Sequence, residues 1–449
     1  MNIRVKSALA LTTALTVVSP AVAQDQSGWS LAEAAEPYAG TTVDVVFLLR
    51  PGYEAAKEMI PAFEEETGIE INITDLPYEN ALGEQVRDFV AQGDLDVALI
   101  DLVWIGNFAQ NDWIVPMAAI EEQFPDIIDP DLDLDDFFPL VLDAFGSWDG
   151  TVYGLPFDNY SGLLFYNSCM LEEAGFDGPP ETWQAVMDDY GPALTKDGKY
   201  AYALQSKRNE TQSADSFARM IWPFGGSFLD AEFRSNLSSE ESLAGLNFRQ
   251  ELMQYMPEGI VAYDHAEAVN ALAQGDVAFI TEWSSFYSTL ADPDTSRIGE
   301  CLAIAPEPAG PAGRKPALGG FSLAVAEQAD DDEKAAAWLF IQWITSKENA
   351  RQYLDLGGVP ARQSVYEEEG IAESFPFVPA LVESWQEGVP EFRPRFAEWP
   401  EISEVVQQYG TQMMLGEITV EEGAERIGTE MEAILDKAGY YDGDKPLIQ

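Results

Sequence analysis

Strand-like and helix-like segments alternate over the first part of the chain. Apolar residues recur at every second position in some segments and at the helical period in others, and glycines separate several of them. The predicted order is strand 42–49, helix 53–66, strand 69–73, helix 81–92 and strand 96–100. Strands that alternate with helices through short loops predict a parallel sheet built from right-handed crossovers.

Residues 150–175 (GTVYGLPFDNYSGLLFYNSCMLEEAG) combine several features in an informative order. A turn and a short extended run precede the polar and aromatic patch Asp158-Asn159-Tyr160, and an apolar strand and a helical segment follow it. A patch between two strand segments indicates a place where the chain leaves one sheet and enters another. Crossings of this kind between two domains are a favoured position for small-molecule sites.

Later segments continue the α/β pattern. The predictions are a strand over 275–281 that leads to Trp283, a second crossing at 301–308 (CLAIAPEP), a return strand at 318–322 and a helix over 333–345. Acids at 330–332 suit the positive end of that last helix.

Length and charge limit the classes of function. The chain has 449 residues, 46% of them hydrophobic, which is more than one core comfortably holds and predicts two domains. Its 24 Lys and Arg face 78 Asp and Glu, a net charge of −54 that repels nucleic acid and suits a salty environment. The charge does not by itself indicate a cationic ligand.

Residues 1–23 have the pattern of a secretory signal peptide. A basic start precedes an apolar core at 8–18, Pro20 and the small residues Ala21-Val22-Ala23, so we expect cleavage before Gln24 and a periplasmic location. The apolar core is too short for a membrane anchor.

Motifs for catalysis or metal binding are missing from the sequence. It has a single histidine, His265, at a predicted helix start, and no nucleophile elbow, Walker loop or HExxH helix. The acidic run at 129–136 lacks the Gly and closing Glu of a calcium loop, so helix capping is the simpler interpretation. We therefore predict neither a catalytic residue, a metal nor a cofactor.

The order of these motifs resembles the extracellular sugar-binding proteins of ABC importers, the maltose-binding-protein-like group. The resemblance covers the whole mature chain, including FEEETGIEINI and LDVALIDLVWIGNFAQNDWIVPM. It implies an α/β two-lobed periplasmic-binding-protein fold of type II, with parallel-rich sheets, flanking helices and crossing hinge strands. The implied division is signal peptide 1–23, first lobe 24–155 and 303–355, and second lobe 156–302 and 356–449. It also implies a monomer that passes its ligand to the transmembrane subunits of an ABC permease.

The resemblance and the strand ends together suggest ligand-binding residues. The candidates are Asp101, Trp104, Asp158, Asn159, Tyr160, Trp283, Gly319, Gly320, Phe321, Arg395 and Trp399, with Glu79 as a weaker addition. Alternatives remain open for most of them: the tryptophans could pack in the core, 158–160 could form hinge hydrogen bonds, the glycines could only turn the chain, and Arg395 could pair with surface acids.

The candidates include acids but a single convincing arginine, so we expect a neutral ligand, a mono- or oligosaccharide or a polyol. Two rival functions remain: a receptor of the same fold for a non-sugar solute, and a secreted glycoside hydrolase that uses paired carboxylates.

The two cysteines, Cys169 and Cys301, lie in the exported part of the chain, where the oxidising compartment permits pairing. The resemblance implies that the two hinge-connected strands beside them run close together. We therefore predict a disulfide, with two separate buried thiols as the alternative.

Overall fold

The computed structural model describes residues 28–208 and 212–443, together with residues 445 and 447. The predicted signal peptide lies outside the described residues. Within them, no helix combines the length and the hydropathy needed to cross a membrane.

Eight of the ten strands in the described residues form one continuous sheet that extends through two lobes. The strands are β1 Thr42–Leu48, β2 Glu70–Leu76, β3 Val97–Asp101, β4 Ser147–Trp148, β5 Thr151–Val152, β6 Gly154–Asn167, β7 Tyr200–Ala203, β8 Val277–Trp283, β9 Leu302–Pro306 and β10 Leu318–Val325. The ladder runs β2-β1-β3-β10-β6-β8-β7, β9 also pairs with β6, and β4 and β5 form a separate hairpin. The parallel pairs are β1–β2, β1–β3 and β7–β8, whereas β10 and β6 pair antiparallel with their neighbours, so the sheet is mixed.

Helices cover both lobes. They are α1 Leu31–Ala35, α2 Pro51–Thr67, α3 Tyr78–Ala91, α4 Ile105–Gln110, α5 Met117–Gln123, α6 Pro139–Val141, α7 Ser168–Ala174, α8 Trp183–Ala185, α9 Gly191–Leu194, α10 Gln212–Ile221, α11 Glu240–Leu252, α12 His265–Ala273, α13 Tyr287–Ala291, α14 Asp331–Ile344, α15 Lys347–Asp355, α16 Gln363–Tyr366, α17 Ile371–Ser374, α18 Val378–Glu387, α19 Trp399–Met414 and α20 Val420–Lys437. The acids 330–332 lie at the start of α14, where Asp330 is the N-cap and forms a capping box with Glu333.

Strand β6 connects the lobes. Its residues 154–161 pair with β10 beside β3, and its residues 162–167 pair with β8 and β9. We call the side with β1, β2, β3 and β10 the first lobe and the side with β7, β8 and β9 the second lobe. Gly162 stands at the change of partner, and a Cβ there would collide with Glu307 and Arg219. A residue without a side chain is therefore needed where β6 passes Glu307 and Arg219.

The strand pairing locates the two crossings. The pairing partner of β6 changes between Ser161 and Gly162, directly after the patch 158–160. Strand β9, inside the segment 301–308 that we expected to cross, pairs within the second lobe, and the chain leaves that lobe between β9 and β10. The division after residues 155 and 302 that the resemblance implies thus falls inside β6 and β9.

A disulfide joins Cys169 and Cys301, whose Cα atoms are 5.4 Å apart. Cys169 lies in the first turn of α7, just after β6, and Cys301 directly precedes β9. Because β9 pairs with the second half of β6, the bond connects the entry and the exit of the second lobe and does not cross to the first.

The first prediction concerns this bond. Replacing both residues (Cys169→Ser with Cys301→Ser) should lower the free energy of unfolding by about 2–4 kcal/mol, because the bond closes a long loop with a sequence separation of 132. Urea unfolding measures the loss, and added reductant should destabilise the natural protein but not the variant. Equal stability of the two proteins would show that the bond does not form.

Candidate functional site

A cleft of about 430 Å³ lies where the two lobes meet beside β6. The first lobe contributes Arg50, Tyr78 and Glu79, the crossing strand Asp158 and Tyr160, and the second lobe His265, Trp283 and Phe286. A small chamber at its base adds Asp101, Asp215, Gly319, Gly320, Phe321 and Arg393. The first-lobe residues follow the carboxyl ends of β1, β2 and β3, where α/β sheets usually present ligands.

Trp283 and Tyr160 form the aromatic wall. Trp283 ends β8 opposite Gly162, and its ring centroid lies 5.5 Å from that of Tyr160. The guanidinium of Arg219 lies 5.0 Å from the Trp283 ring, and it forms an ion pair with the buried Glu307. The structure thus places Trp283 in the cleft wall, although only 7% of its surface is exposed.

The glycines of β10 make room for this wall. A Cβ on Gly319 would lie 2.6 Å from the Tyr160 ring and 2.9 Å from the Trp283 ring. Gly320 has φ 129°, and a Cβ there would lie 2.6 Å from the Cα of Asn159. Both glycines are therefore required by close packing against β6, whatever the ligand.

Asp158 and Asn159 have different surroundings. Asp158 lines the cleft, lies against Gly52 at the start of α2 and accepts a hydrogen bond of 3.3 Å from the backbone N–H of Val359. Burial raises the pKa of its carboxyl to about 6. Asn159 is fully buried and donates to the carbonyl of Phe321 at 3.2 Å. Its contacts are hydrogen bonds between the strands of the hinge, as in the alternative interpretation, and it does not line the cleft.

An ionic cluster forms the base of the chamber. The Nη2 of Arg393 lies 3.1 Å from Asp101, and its Nε lies 3.5 Å from Asp215 in α10. The hydroxyl of Tyr78 donates to Asp101 at 2.6 Å. Burial raises the pKa of Asp215, and the nearby charges of Arg393 and Arg219 partly offset that increase. Because Asp101 belongs to the first lobe and Asp215 to the second, Arg393 links the two walls.

Another polar pair faces this cluster across the chamber. Nδ1 of His265 lies 2.8 Å from a carboxylate oxygen of Glu282. Burial alone would lower the pKa of His265, but the Glu282 carboxylate outweighs it and raises that pKa above the usual value. The imidazole therefore holds its proton to higher pH than a free histidine.

Three predicted residues do not reach the cleft. Arg395 donates instead to backbone carbonyls around β4, with Asp143 O at 2.8 Å, and so holds the final segment against the first lobe. Trp104 stacks on Tyr78 with 5.5 Å between ring centroids, and Trp399 is fully buried against Phe228. The two tryptophans border a separate groove of about 190 Å³ together with Glu79. Arg393, two residues before Arg395, is the arginine of this segment that lines the chamber.

Sequence reasoning missed Arg50, Tyr78, His265 and Arg393. Arg50 and Tyr78 lie shortly after the ends of β1 and β2, so the rule that selected Asp101 would also have selected them. His265 was recognised as a helix start but not as a neighbour of Glu282, because only the fold brings α12 beside β8. Spacing alone does not separate Arg393 from Arg395.

Comparison with known proteins agrees with this architecture. The family described as "Bacterial extracellular solute-binding protein" matches residues 58–376. The chain is 25% identical over 414 residues to the "Probable amino-acid ABC transporter periplasmic-binding protein" of Sinorhizobium fredii, covering 90% of this chain and 91% of that protein. It is 24% identical over 316 residues to the mannitol-binding protein of Pseudomonas aeruginosa, covering 68% and 70%.

Solved structures share the fold. An ABC transporter solute-binding protein of Agrobacterium radiobacter in complex with ribitol superposes with a TM-score of 0.79 at 24% identity, covering 89% of this chain and 100% of that one. The predicted two-lobed α/β fold is therefore confirmed.

The second prediction separates the two neighbouring arginines. Arg393→Met leaves Asp101 and Asp215 buried without their cation, so at pH 8 the protein should lose about 3–5 kcal/mol of stability. Burial raises the pKa of Asp215 and the charge of Arg393 opposes that increase, so the variant raises this pKa further. The loss should therefore shrink as the pH falls to 5 and Asp215 takes up a proton.

Arg395→Met is the matched control, because Arg395 binds backbone carbonyls and its loss should destabilise equally at both pH values. Urea unfolding at pH 5 and pH 8 measures both variants. A loss for Arg393→Met that does not change with pH would contradict the ionic role of the cluster.

Proposed function

The chain belongs to the bacterial extracellular solute-binding proteins, and we propose that it binds a small carbohydrate or polyol in its interlobe cleft and delivers it to an ABC importer. The observation that carries the proposal is a cleft whose aromatic wall, Trp283 and Tyr160, faces charged and hydrogen-bonding groups from both lobes.

The chemistry of the cleft suits a polyhydroxylated ligand. The hydroxyls of a sugar donate to carboxylates such as Asp158 and accept from guanidinium groups such as Arg50, while its CH face packs on an aromatic ring such as Trp283. A volume of about 430 Å³ lies in the range of small-molecule sites. The names of the relative that binds mannitol and of the structure with ribitol support the same class.

Binding without chemistry follows from the same arrangement. Ligand contacts with both lobes favour the closed form, because only that form makes both sets of contacts. The ligand is then released unchanged to the transmembrane subunits of a permease. In this proposal the protein is a periplasmic monomer, and neither a cofactor nor a catalytic residue takes part.

The third prediction is selective stabilisation by the ligand. In a thermal-shift screen of sugars, sugar acids, polyols, amino acids and amines, a carbohydrate or polyol should raise Tm through mass action. Mass spectrometry should recover it intact. The screen includes amino acids because the name of one relative refers to them. A response to amino acids alone would overturn the proposal, and so would recovery of a cleaved glycoside.

The fourth prediction concerns stacking. Trp283→Ala should weaken binding of the ligand found in the screen by about 1–3 kcal/mol, through loss of aromatic contact area. Trp343→Ala is the matched control, because Trp343 packs on Phe63 in the first lobe, away from the cleft. Titration calorimetry should show lost affinity for the first variant and unchanged affinity for the second. If Trp283→Ala lowered only Tm, Trp283 would be a core residue.

A further inference from the structure

Arg50 is the one cationic group lining the cleft that has no carboxylate partner among the described residues. Its Nη1 donates to the hydroxyl of Tyr160 at 2.7 Å, and its guanidinium lies over the rings of Tyr78 and Phe321 at 5.1 and 5.7 Å. A guanidinium has five N–H donors, and one neutral hydroxyl leaves most of them without a protein acceptor. These donors border both the cleft and the chamber at its base.

The other cations of the cleft are already neutralised. Arg393 lies between Asp101 and Asp215, and His265 is paired with Glu282. Arg219, behind Trp283, is paired with Glu307. Only Arg50 therefore offers a charge that the protein itself does not match at ion-pair distance.

The composition of the chain makes this arrangement informative. Acidic residues outnumber basic ones by 78 to 24, so a carboxylate partner would be easy to supply. The charge of the cleft acid Asp158 acts on Arg50, but Asp158 lies against Gly52 and the backbone of Val359 and forms no ion pair with Arg50. An arginine that lines a ligand cleft without a carboxylate at ion-pair distance indicates that the ligand brings this partner.

Resting on the proposed function, we propose that the ligand is a sugar acid whose carboxylate forms a bidentate ion pair with Arg50 while its ring or chain packs on Trp283. The proposal narrows the carbohydrate class of the proposed function, and it differs from the neutral ligand expected from the sequence because Arg50 had not been recognised there. A carboxylate fits better than a phosphate, because one unpaired guanidinium balances a single negative charge and a phosphate near neutral pH carries closer to two.

The test is titration calorimetry of the full exported protein with matched ligands. The acid–neutral pairs are D-glucuronate with D-glucose, D-galacturonate with D-galactose, and D-gluconate with D-glucitol, and glucose 6-phosphate is the phosphate arm. At least one acid should bind ten-fold or more tightly than its neutral partner. Arg50→Gln should remove that preference, and Arg50→Lys should keep part of it.

Arg87→Gln is the matched control, since Arg87 is an exposed first-lobe arginine paired with Glu84, and it should leave the preference unchanged. If Arg50→Gln fails to fold, the natural protein and Arg50→Lys still decide the question.

The outcomes separate this inference from the proposed function. Equal or tighter binding of every neutral partner overturns the sugar-acid inference and leaves the proposed function intact, and a preference for glucose 6-phosphate overturns the carboxylate assignment alone. Binding of amino acids without any carbohydrate overturns the proposed function itself.

Discussion

The cleft depends on the pairing of β6, a single strand shared by the two lobes. Its first half is held by β10 and its second half by β8 and β9, so the register of these pairs fixes where each wall residue lies. Tyr160 is opposite Gly319 and Gly162 is opposite Trp283, which brings the two rings together. A slip of one residue would turn Tyr160 away from the cleft, because successive strand residues point to opposite faces. The glycines of β10 and β6 are the residues that permit this close packing.

Buried charge is the second constraint. The buried arginines are Arg219, Arg249, Arg362, Arg393 and Arg395, and most are held by carboxylates or backbone carbonyls. The chain has 24 basic residues and 78 acids, so every arginine in the interior leaves one fewer positive charge to balance the acids of the surface. The buried arginines are spread over the molecule: Arg362 donates to backbone carbonyls of Thr345 and Leu132, whereas Arg393 lies at the cleft. Of these buried arginines, Arg393 lines the chamber of the cleft, where the acids Asp101 and Asp215 face it.

The sequence predicts the parts of this molecule that rest on local periodicity. Strands β1, β2 and β3, the helices between them and the cap of α14 follow from alternation, helical spacing and acids at Asp330. Trp283 could be located because it lies at the end of a strand, β8. The sequence could not distinguish Arg393 from Arg395, because both follow the same loop and only tertiary contact gives one of them carboxylates and the other carbonyls. Asn159 likewise looks like a ligand residue, yet its neighbours in β6 point into the cleft while it is turned to Phe321.

Arg393 also bears on how the lobes move. Its two carboxylate partners come from β3 and α10, on opposite walls, so separating the walls would break an ion pair that is shielded from water. Such a pair resists opening only while its geometry is kept, since a buried charge without its partner is costly. In the proposed function, breaking this linkage is one cost of separating the walls, and a ligand supplies the remaining difference in free energy between the closed and open forms. A ligand that contacts Arg50 on one side and Trp283 on the other adds to that difference directly, because it completes contacts that no single wall can make.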